Sequence, residues 1–301
     1  PPCQAYSVAG RIRDENGMHE DYRNYLFESY MAIVDHFKPA ACIFENVPGM
    51  LSAAPGGISI IDRISAAFKK SGYEISSNLK GQATLDVSEF GVPQKRKRVI
   101  IAAFRRDLHE NPKNVVDQFY LNLLLKKASV ITTVKDAIGG LPKLYPIKAA
   151  EGRKSHTEDE LNFLADHEPR FHSQRDIEIF KMLAEDIASG RNRYTSSDAL
   201  KALYTEKTGK TSAVHKYYVL RASMPSNTIP AHLYKDGLRH IHPDPKQARS
   251  ITVREAACLQ SFDLDFKFKG PNGSKYKMIG NAVPPLFAEK IGKALSSVLN
   301  N

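Results

Sequence analysis

The first third of the chain alternates between helical and strand-like apolar patterns, and this alternation most constrains the fold. Apolar side chains follow helical spacing over residues 20–38, before Pro39, and again over residues 58–70. Short apolar runs that predict buried strands lie at 41–47, 73–79 and 98–104. Helices alternating with strands predict an α/β sheet with crossover helices, in which 41–47 is a buried parallel strand.

The pattern changes after about residue 140, where Gly139, Gly140 and Pro142 mark a break. Residues 145–250 are polar, basic and rich in His and Tyr, with few periodic elements. Helical patterns return at 252–262 and 284–299. We therefore expect a second region with a different character from the first.

Charge and cysteine content narrow the function classes. The 301 residues include 43 Lys and Arg against 33 Asp and Glu, a net charge of +10, so an anionic partner such as nucleic acid is a candidate beside a merely basic soluble protein. No apolar run reaches the roughly 20 residues of a membrane span. The three cysteines are far apart, which predicts neither a disulfide framework nor a zinc site and favours a reducing, cytoplasmic setting.

Two residues near the start of the chain are candidates for acid–base or nucleophilic chemistry. Cys3 lies in a predicted loop, and it is either a nucleophile or an ordinary thiol. Glu45 ends a predicted buried strand, the edge at which open α/β sheets bind ligands. Its carboxylate is either a functional acid or part of a helix cap or ion pair.

A basic run precedes the strand at 98–104. In an extended segment Gln94, Arg96 and Arg98 share one face, which suits phosphate or base contacts, although a solvated turn fits equally. His232, His240 and His242 lie close in sequence, but we predict no metal there and favour phosphate or base contact, or plain surface.

Together these segments resemble the motifs of DNA cytosine-5 methyltransferases, in the same order. The similar segments are Pro1-Pro2-Cys3-Gln4, Glu45-Asn46-Val47, Gln94-x-Arg96-x-Arg98, Pro225-Ser226-Asn227-Thr228-Ile229, Arg254 to Phe262, and Gly280-Asn281-Ala282-Val283-Pro284-Pro285. The resemblance covers residue 1 to about 295.

The resemblance implies a role for each matching position. Cys3, Glu45, Arg96 and Arg98 would be catalytic, and Pro2, Asn281, Ala282 and Val283 would contact the donor S-adenosylmethionine. Residues implied to contact DNA are Gln4, Ser7, Gln94, Arg96, Arg98 and Thr228. No metal is implied.

The implied fold is a Rossmann-like methyltransferase sheet with a second, smaller target-recognition domain. Residues 1–140 would form the catalytic domain, 141–270 the target-recognition domain, and 271–301 the closing motif and its helix. The implied partners are double-stranded DNA and S-adenosylmethionine in a prokaryotic cell, with methylation in a restriction–modification system. A transfer-RNA cytosine methyltransferase and a non-catalytic DNA-binding protein stay open as alternatives.

The sequence departs from the family in one respect. It begins at the nucleophile motif, without the Phe-x-Gly-x-Gly turn that cradles the donor in the family. We therefore expect either a fragment whose first strands are missing or one subunit of a split enzyme, with a second polypeptide that carries the donor-binding motifs. In both cases the given chain should bind the donor poorly.

Overall fold

The structure is a computed structural model that describes residues 25–151, 154–157, 164–235 and 237–300, with only the backbone described at 148–151. The predicted site residues Pro2, Cys3, Gln4 and Ser7 lie outside the described residues. The chain divides into two compact units. Unit 1 comprises Arg96–Ala128 and the described parts of Pro1–Phe90 and Ala288–Asn301, and unit 2 comprises Gly91–Lys95 and the described parts of Ser129–Phe287.

Unit 1 contains a four-stranded sheet with helices between its strands. Its elements are α1 (Leu26–Phe37), β1 (Ala41–Asn46), α2 (Ile60–Lys70), β2 (Tyr73–Ile75), α3 (Leu79–Gln82), β3 (Thr84–Asp86), β4 (Lys97–Arg105) and α4 (Pro112–Leu124). The predicted helices at 20–38 and 58–70 are confirmed as α1 and α2. The predicted strand at 73–79 ends at Ile75, and the side chain of Asn78 then caps α3.

The central strand of this sheet is β4. It pairs with β1 on one side and with β2 and β3 on the other. Its residues Val99 to Phe104 have no exposed surface, which explains why this segment reads as an unbroken apolar run. The hydroxyl of Tyr120 on α4 accepts from the Ala102 N–H at 3.2 Å and fixes the helix against the strand.

The prediction of a parallel strand at 41–47 is wrong for the pairing in the described sheet. β1 runs antiparallel to β4, with Ala41 opposite Phe104 and Asn46 opposite Val99. β2 and β3 are also antiparallel to β4. The connection from β3 to β4 spans only residues 87–96, whereas parallel neighbours need a crossover of about a dozen residues or more.

Unit 2 contains more regular structure than its sequence suggested. Its elements are α5 (Val134–Ile138), β5 (Pro146–Glu151), β6 (Lys154–His156), α6 (Gln174–Ala188), α7 (Ser197–Thr208), α8 (Val253–Leu259) and α9 (Asn272–Asn281), followed by α10 (Pro285–Leu299), which extends into the residues of unit 1. The expectation of few periodic elements over 145–250 is wrong at α6 and α7. Both helices have a serine N-cap, and both bury an apolar face.

Two apolar clusters form the interior of unit 2. One joins α5, α8 and α9 through residues such as Ile138, Ala257 and Ile279. The other joins α6 and α7 through residues such as Phe180 and Leu203. No helix in the described part of the chain has the length and apolar character needed to cross a membrane.

Candidate active site and motif network

Glu45 and Arg98 meet on one face of the unit 1 sheet. Glu45 is paired with Ile100 across the β1–β4 ladder, and Arg98 precedes Ile100 by two residues on the same face. The Nε of Arg98 lies 2.8 Å from Oε1 of Glu45, and its Nη1 donates to the carbonyl of Lys97 at 2.7 Å. The arginine therefore fixes the orientation of the carboxylate at the end of β1.

Arg96 lies just before β4 and is almost fully buried. Its backbone N–H donates to Oδ1 of Asp86 at 3.3 Å, and the same oxygen accepts from the Ser88 N–H and hydroxyl. The carbonyl of Arg96 accepts from the N–H of Val87 at 3.0 Å. These bonds hold the start of β4 against the turn after β3.

Gln94 is fully buried in unit 2 and binds two distant segments. Its Oε1 accepts from the N–H of Ile229 at 2.9 Å, and its Nε2 donates to Oε1 of Gln260. The nearby Lys95 N–H donates to Ser226 O at 2.8 Å. This placement gives the Gln94 side chain a structural role that the sequence pattern did not predict.

Gln260 extends the same chain of hydrogen bonds to the closing motif. Its Nε2 donates to the carbonyl of Ile279 at 2.9 Å and to that of Ala282 at 2.8 Å. Of the closing-motif residues, Asn281 is exposed and Val283 is half-buried. Four motifs that are remote in sequence thus meet in one buried network, the glutamine relay, formed by Gln94 and Gln260.

Thr228 lies beside the relay. Its hydroxyl donates to the carbonyl of Lys95 at 2.8 Å, and the residue is exposed. The threonine therefore reaches solvent on one side while it fixes the loop that carries the basic motif.

A buried ion pair in unit 2 was not predicted from the sequence. The guanidinium of Arg249 donates to both carboxylate oxygens of Glu255 at 2.7 Å, and neither residue is exposed. Burial opposes the charge of Glu255, but Arg249 outweighs it and holds the pKa of that carboxyl well below its usual range. Glu255 also completes a capping box with Thr252, a pattern visible in the sequence as Thr-x-x-Glu.

Four histidines near this pair are buried and neutral. Burial lowers the pKa of His156, His240 and His242 to about 4, and that of His172 to about 3. His242 lies 3.5 Å from Glu255, which partly offsets the effect of burial. They therefore stabilise unit 2 only while uncharged.

The two described cysteines are poor nucleophiles. Burial raises the pKa of Cys42 on β1, and it raises that of Cys258 on α8 to about 11. A thiol attacks only as the thiolate, so neither residue is activated at neutral pH.

The sequence matches one family over almost its whole length. The family of C-5 cytosine-specific DNA methylases matches residues 1–297. The chain belongs to this family. It is 37% identical to the type II methyltransferase M.Bpa9945I of Bacillus paralicheniformis over 100% of the chain and 69% of the relative. It is 28% identical to the type II methyltransferase M1.HphI of Haemophilus parahaemolyticus over 100% of the chain and 68% of the relative.

Solved structures share the C-5 methylase fold of the chain. A protein described as a DNA modification methyltransferase encoded within an E. coli prophage aligns with a TM-score of 0.60 at 23% identity, over 93% of the chain and 76% of its own length. The S. pombe Dnmt2 methyltransferase aligns with a TM-score of 0.51 at 14% identity, over 93% and 74%. Both show a mixed α/β methyltransferase fold, as the resemblance predicted.

Proposed function

We propose that this C-5 methylase transfers a methyl group from S-adenosylmethionine to carbon 5 of a flipped-out cytosine within a specific duplex DNA sequence, in a type II restriction–modification system. The observation that carries the proposal is the 2.8 Å pair of Glu45 and Arg98 at the strand end that the family uses for its glutamate motif. A carboxylate held in this way is oriented before any substrate binds.

The proposed chemistry explains the residue types. Carbon 5 of cytosine is a weak nucleophile until the Cys3 thiolate adds to carbon 6 and converts the ring into an enamine. Carbon 5 then attacks the donor methyl group, and the methyl–sulfur bond breaks with its electron pair on the sulfur of the donor. Loss of the proton from carbon 5 re-forms the double bond and expels the Cys3 thiolate.

Glu45 would hydrogen-bond ring nitrogen 3 and the exocyclic amine while the thiolate adds, and Arg98 would orient Glu45 and contact the base carbonyl. Removing the base from the duplex costs a few kcal/mol, which basic contacts from residues 145–250 to the DNA would offset. Gln4, Ser7, Gln94 and Thr228 belong to the segments proposed to border DNA.

We further propose that Pro2 and the closing motif, Asn281 to Val283, border the donor. Residues 1–140 would form the catalytic domain, 141–270 the target-recognition domain, and 271–301 the closing segment.

The test is covalent capture on DNA. The protein, expressed from its complete gene, is incubated with S-adenosylmethionine and duplexes that contain 5-fluorocytosine at candidate targets. Fluorine on carbon 5 cannot leave as a proton does, so the enzyme–DNA adduct should persist in denaturing gels. Cys3→Ser should abolish the adduct while DNA binding is retained, and Cys42→Ser is the matched control that should keep it.

Two outcomes would contradict the proposal. An adduct that survives Cys3→Ser would remove this residue from the mechanism. Methyl transfer to transfer RNA, with none to any duplex DNA, would replace the proposed substrate with the RNA alternative.

A further inference from the structure

A cavity of about 320 Å³ lies within unit 2, between the start of α6 and the end of α7. Ligand pockets in proteins are typically about 300–1,000 Å³, so this one suits a small ligand. Residues on its wall include Arg175 and Asp176 of α6 and Tyr204 of α7. Neither the active-site carboxylate Glu45 nor the glutamine relay lines it.

The wall of the cavity is strongly basic. Arg170, Arg175, Lys210 and Lys235 contribute four positive charges, against the single carboxylate of Asp176. Lys210 and Lys235 are exposed, and neither forms an ion pair within the described ranges. Two unneutralised ammonium groups at one cavity favour an anionic ligand, and lysine ammonium groups bind phosphate as point charges.

Tyr217 lies on the wall of this cavity. Tyr217 is only 1% exposed, and its ring packs against Phe180 and Tyr204 with centroids 6.5 and 6.0 Å away. No hydrogen bond is made by its hydroxyl to any residue that the structure describes. Burial, helped by the nearby Asp176 carboxylate, raises the pKa of Tyr217 to about 12, so its hydroxyl stays protonated and can donate.

His172 supplies a second free donor on the same wall. Its Nε2 accepts from the Ser250 N–H at 3.2 Å, which places the proton on Nδ1. Within the described residues Nδ1 has no hydrogen-bond partner. The Tyr217 hydroxyl and the His172 Nδ1–H are therefore both available to donate to a ligand in the cavity.

Aromatic and carboxylate groups complement the cations. Phe171 is half exposed on the wall, and Tyr204 is half-buried beside it. Aromatic faces stack on nucleobases, and a carboxylate such as Asp176 accepts from the exocyclic amine of a base. The cavity therefore offers a basic part, a stacking surface and an acceptor within a volume suited to one nucleotide.

We propose that this cavity binds a single nucleotide, with its phosphate on Lys210 and Lys235 and an amino-bearing base against Phe171 and Tyr204. The nucleotide comes either from a strand of DNA or from a free mononucleotide. The proposal goes beyond methyl transfer, because it depends on unit 2 alone, and its failure would leave the proposed chemistry untouched.

The test measures nucleotide binding directly. The full-length protein is titrated calorimetrically with dCMP, dAMP, dTMP and inorganic phosphate, without donor or DNA. The double variant Lys210→Gln/Lys235→Gln should weaken dCMP and dAMP binding by about tenfold or more, because it removes both charge-assisted contacts to the phosphate. Tyr217→Phe keeps the ring and should weaken binding severalfold. Lys201→Gln, on α7 but not on the wall, is the control and should not change it.

Competition with duplex DNA identifies the source of the nucleotide. If millimolar dCMP weakens DNA binding, and the double variant binds DNA more weakly than Lys201→Gln does, the site takes a nucleotide of DNA. If dCMP binds but DNA affinity is unchanged by either treatment, the site takes a free nucleotide. The proposal is wrong if no nucleotide binds, if phosphate alone binds, or if the double variant binds dCMP like the control.

Discussion

The carboxylate of Glu45 and the guanidinium of Arg98 are 2.8 Å apart on neighbouring antiparallel strands. The sheet register alone places them there, because Arg98 is the diagonal neighbour of Glu45 across the β1–β4 ladder. The ion pair therefore exists before any base is bound. Its orientation depends on β4, in which Val99 to Phe104 have no exposed surface.

Glu45→Gln should lower the rate constant of methyl transfer by about 100- to 1,000-fold, since a neutral amide cannot stabilise charge that develops on the ring as a carboxylate does. The rate constant is measured by the transfer of tritium from labelled S-adenosylmethionine to DNA. Glu74→Gln is the matched control, because Glu74 on β2 forms a similar 2.8 Å pair with Arg106, which follows β4. Equal losses in both variants would show that Glu45 acts only through sheet stability.

Gln94→Met should destabilise the protein by about 2–5 kcal/mol. Methionine preserves the length of the side chain but removes the bonds of Gln94 to the N–H of Ile229 and to the side-chain Oε1 of Gln260. Each buried polar group left unpaired costs about 1–3 kcal/mol. The urea dependence of unfolding measures it. Gln174→Met removes an exposed bond to Glu178 and should change stability by less than about 0.5 kcal/mol. If the Gln94→Met protein is as stable as the Gln174→Met control, the structural role given to the glutamine relay is wrong.

Gly280→Ala should destabilise the protein by about 1–3 kcal/mol through overpacking. A Cβ at this position would lie 2.4 Å from the N of Ala231 and 2.5 Å from the carbonyl carbon of Pro230, and backbone atoms cannot move aside cheaply. Gly273→Ala, on the same helix α9, meets nothing nearer than 3.8 Å on Tyr234. That control should be neutral or more stable by about 0.5–1 kcal/mol. The thermal midpoint should therefore fall for Gly280→Ala and stay unchanged or rise for Gly273→Ala.

The free energy of unfolding should fall as the pH is lowered from about 7 to 4. His156, His240 and His242 have folded pKa values of about 4, below the usual 6.5, so the unfolded chain binds more protons in this window. Each histidine that titrates fully contributes a slope of about 1.4 kcal/mol per pH unit. The depressed pKa of Glu255 adds to this fall mainly below about pH 5.5, where the unfolded carboxyl begins to take up a proton.

Urea unfolding at a series of pH values measures this slope. His242→Gln should reduce this slope by nearly the contribution of one proton. His36→Gln, in the exposed last turn of α1, should leave the slope unchanged. A pH-independent free energy of unfolding between 7 and 5 would contradict the neutral burial of these histidines.

The elements of unit 1 could be predicted because their signals are local. α1 ends where its apolar spacing ends, at Phe37 before Pro39, and β4 coincides with an unbroken apolar run. Strand direction could not be predicted, since a buried strand reads the same in parallel and antiparallel ladders. The missed helices α6 and α7 had readable signals in their serine caps and apolar spacing, which the polar composition of the region obscured.

The candidate site was only partly predictable for a different reason. The motifs identified Glu45 and Arg98 as candidates. Their contact, however, depends on the register between β1 and β4, which no sequence pattern specifies. The glutamine relay joins Gln94 to Gln260 across 166 positions. No local pattern distinguishes a glutamine that binds DNA from one that fixes a backbone, because both present the same amide.

The division of the chain has a consequence for how it is made. The polypeptide changes units between Phe90 and Gly91, between Lys95 and Arg96, between Ala128 and Ser129, and between Phe287 and Ala288. Multidomain proteins generally fold their domains in order as they leave the ribosome. Unit 1 cannot follow that order, because its last segment, which begins at Ala288, is translated after unit 2. Unit 1 can therefore be completed only after unit 2 has been translated, and no single cut in the gene separates the two units into halves that could be expressed apart.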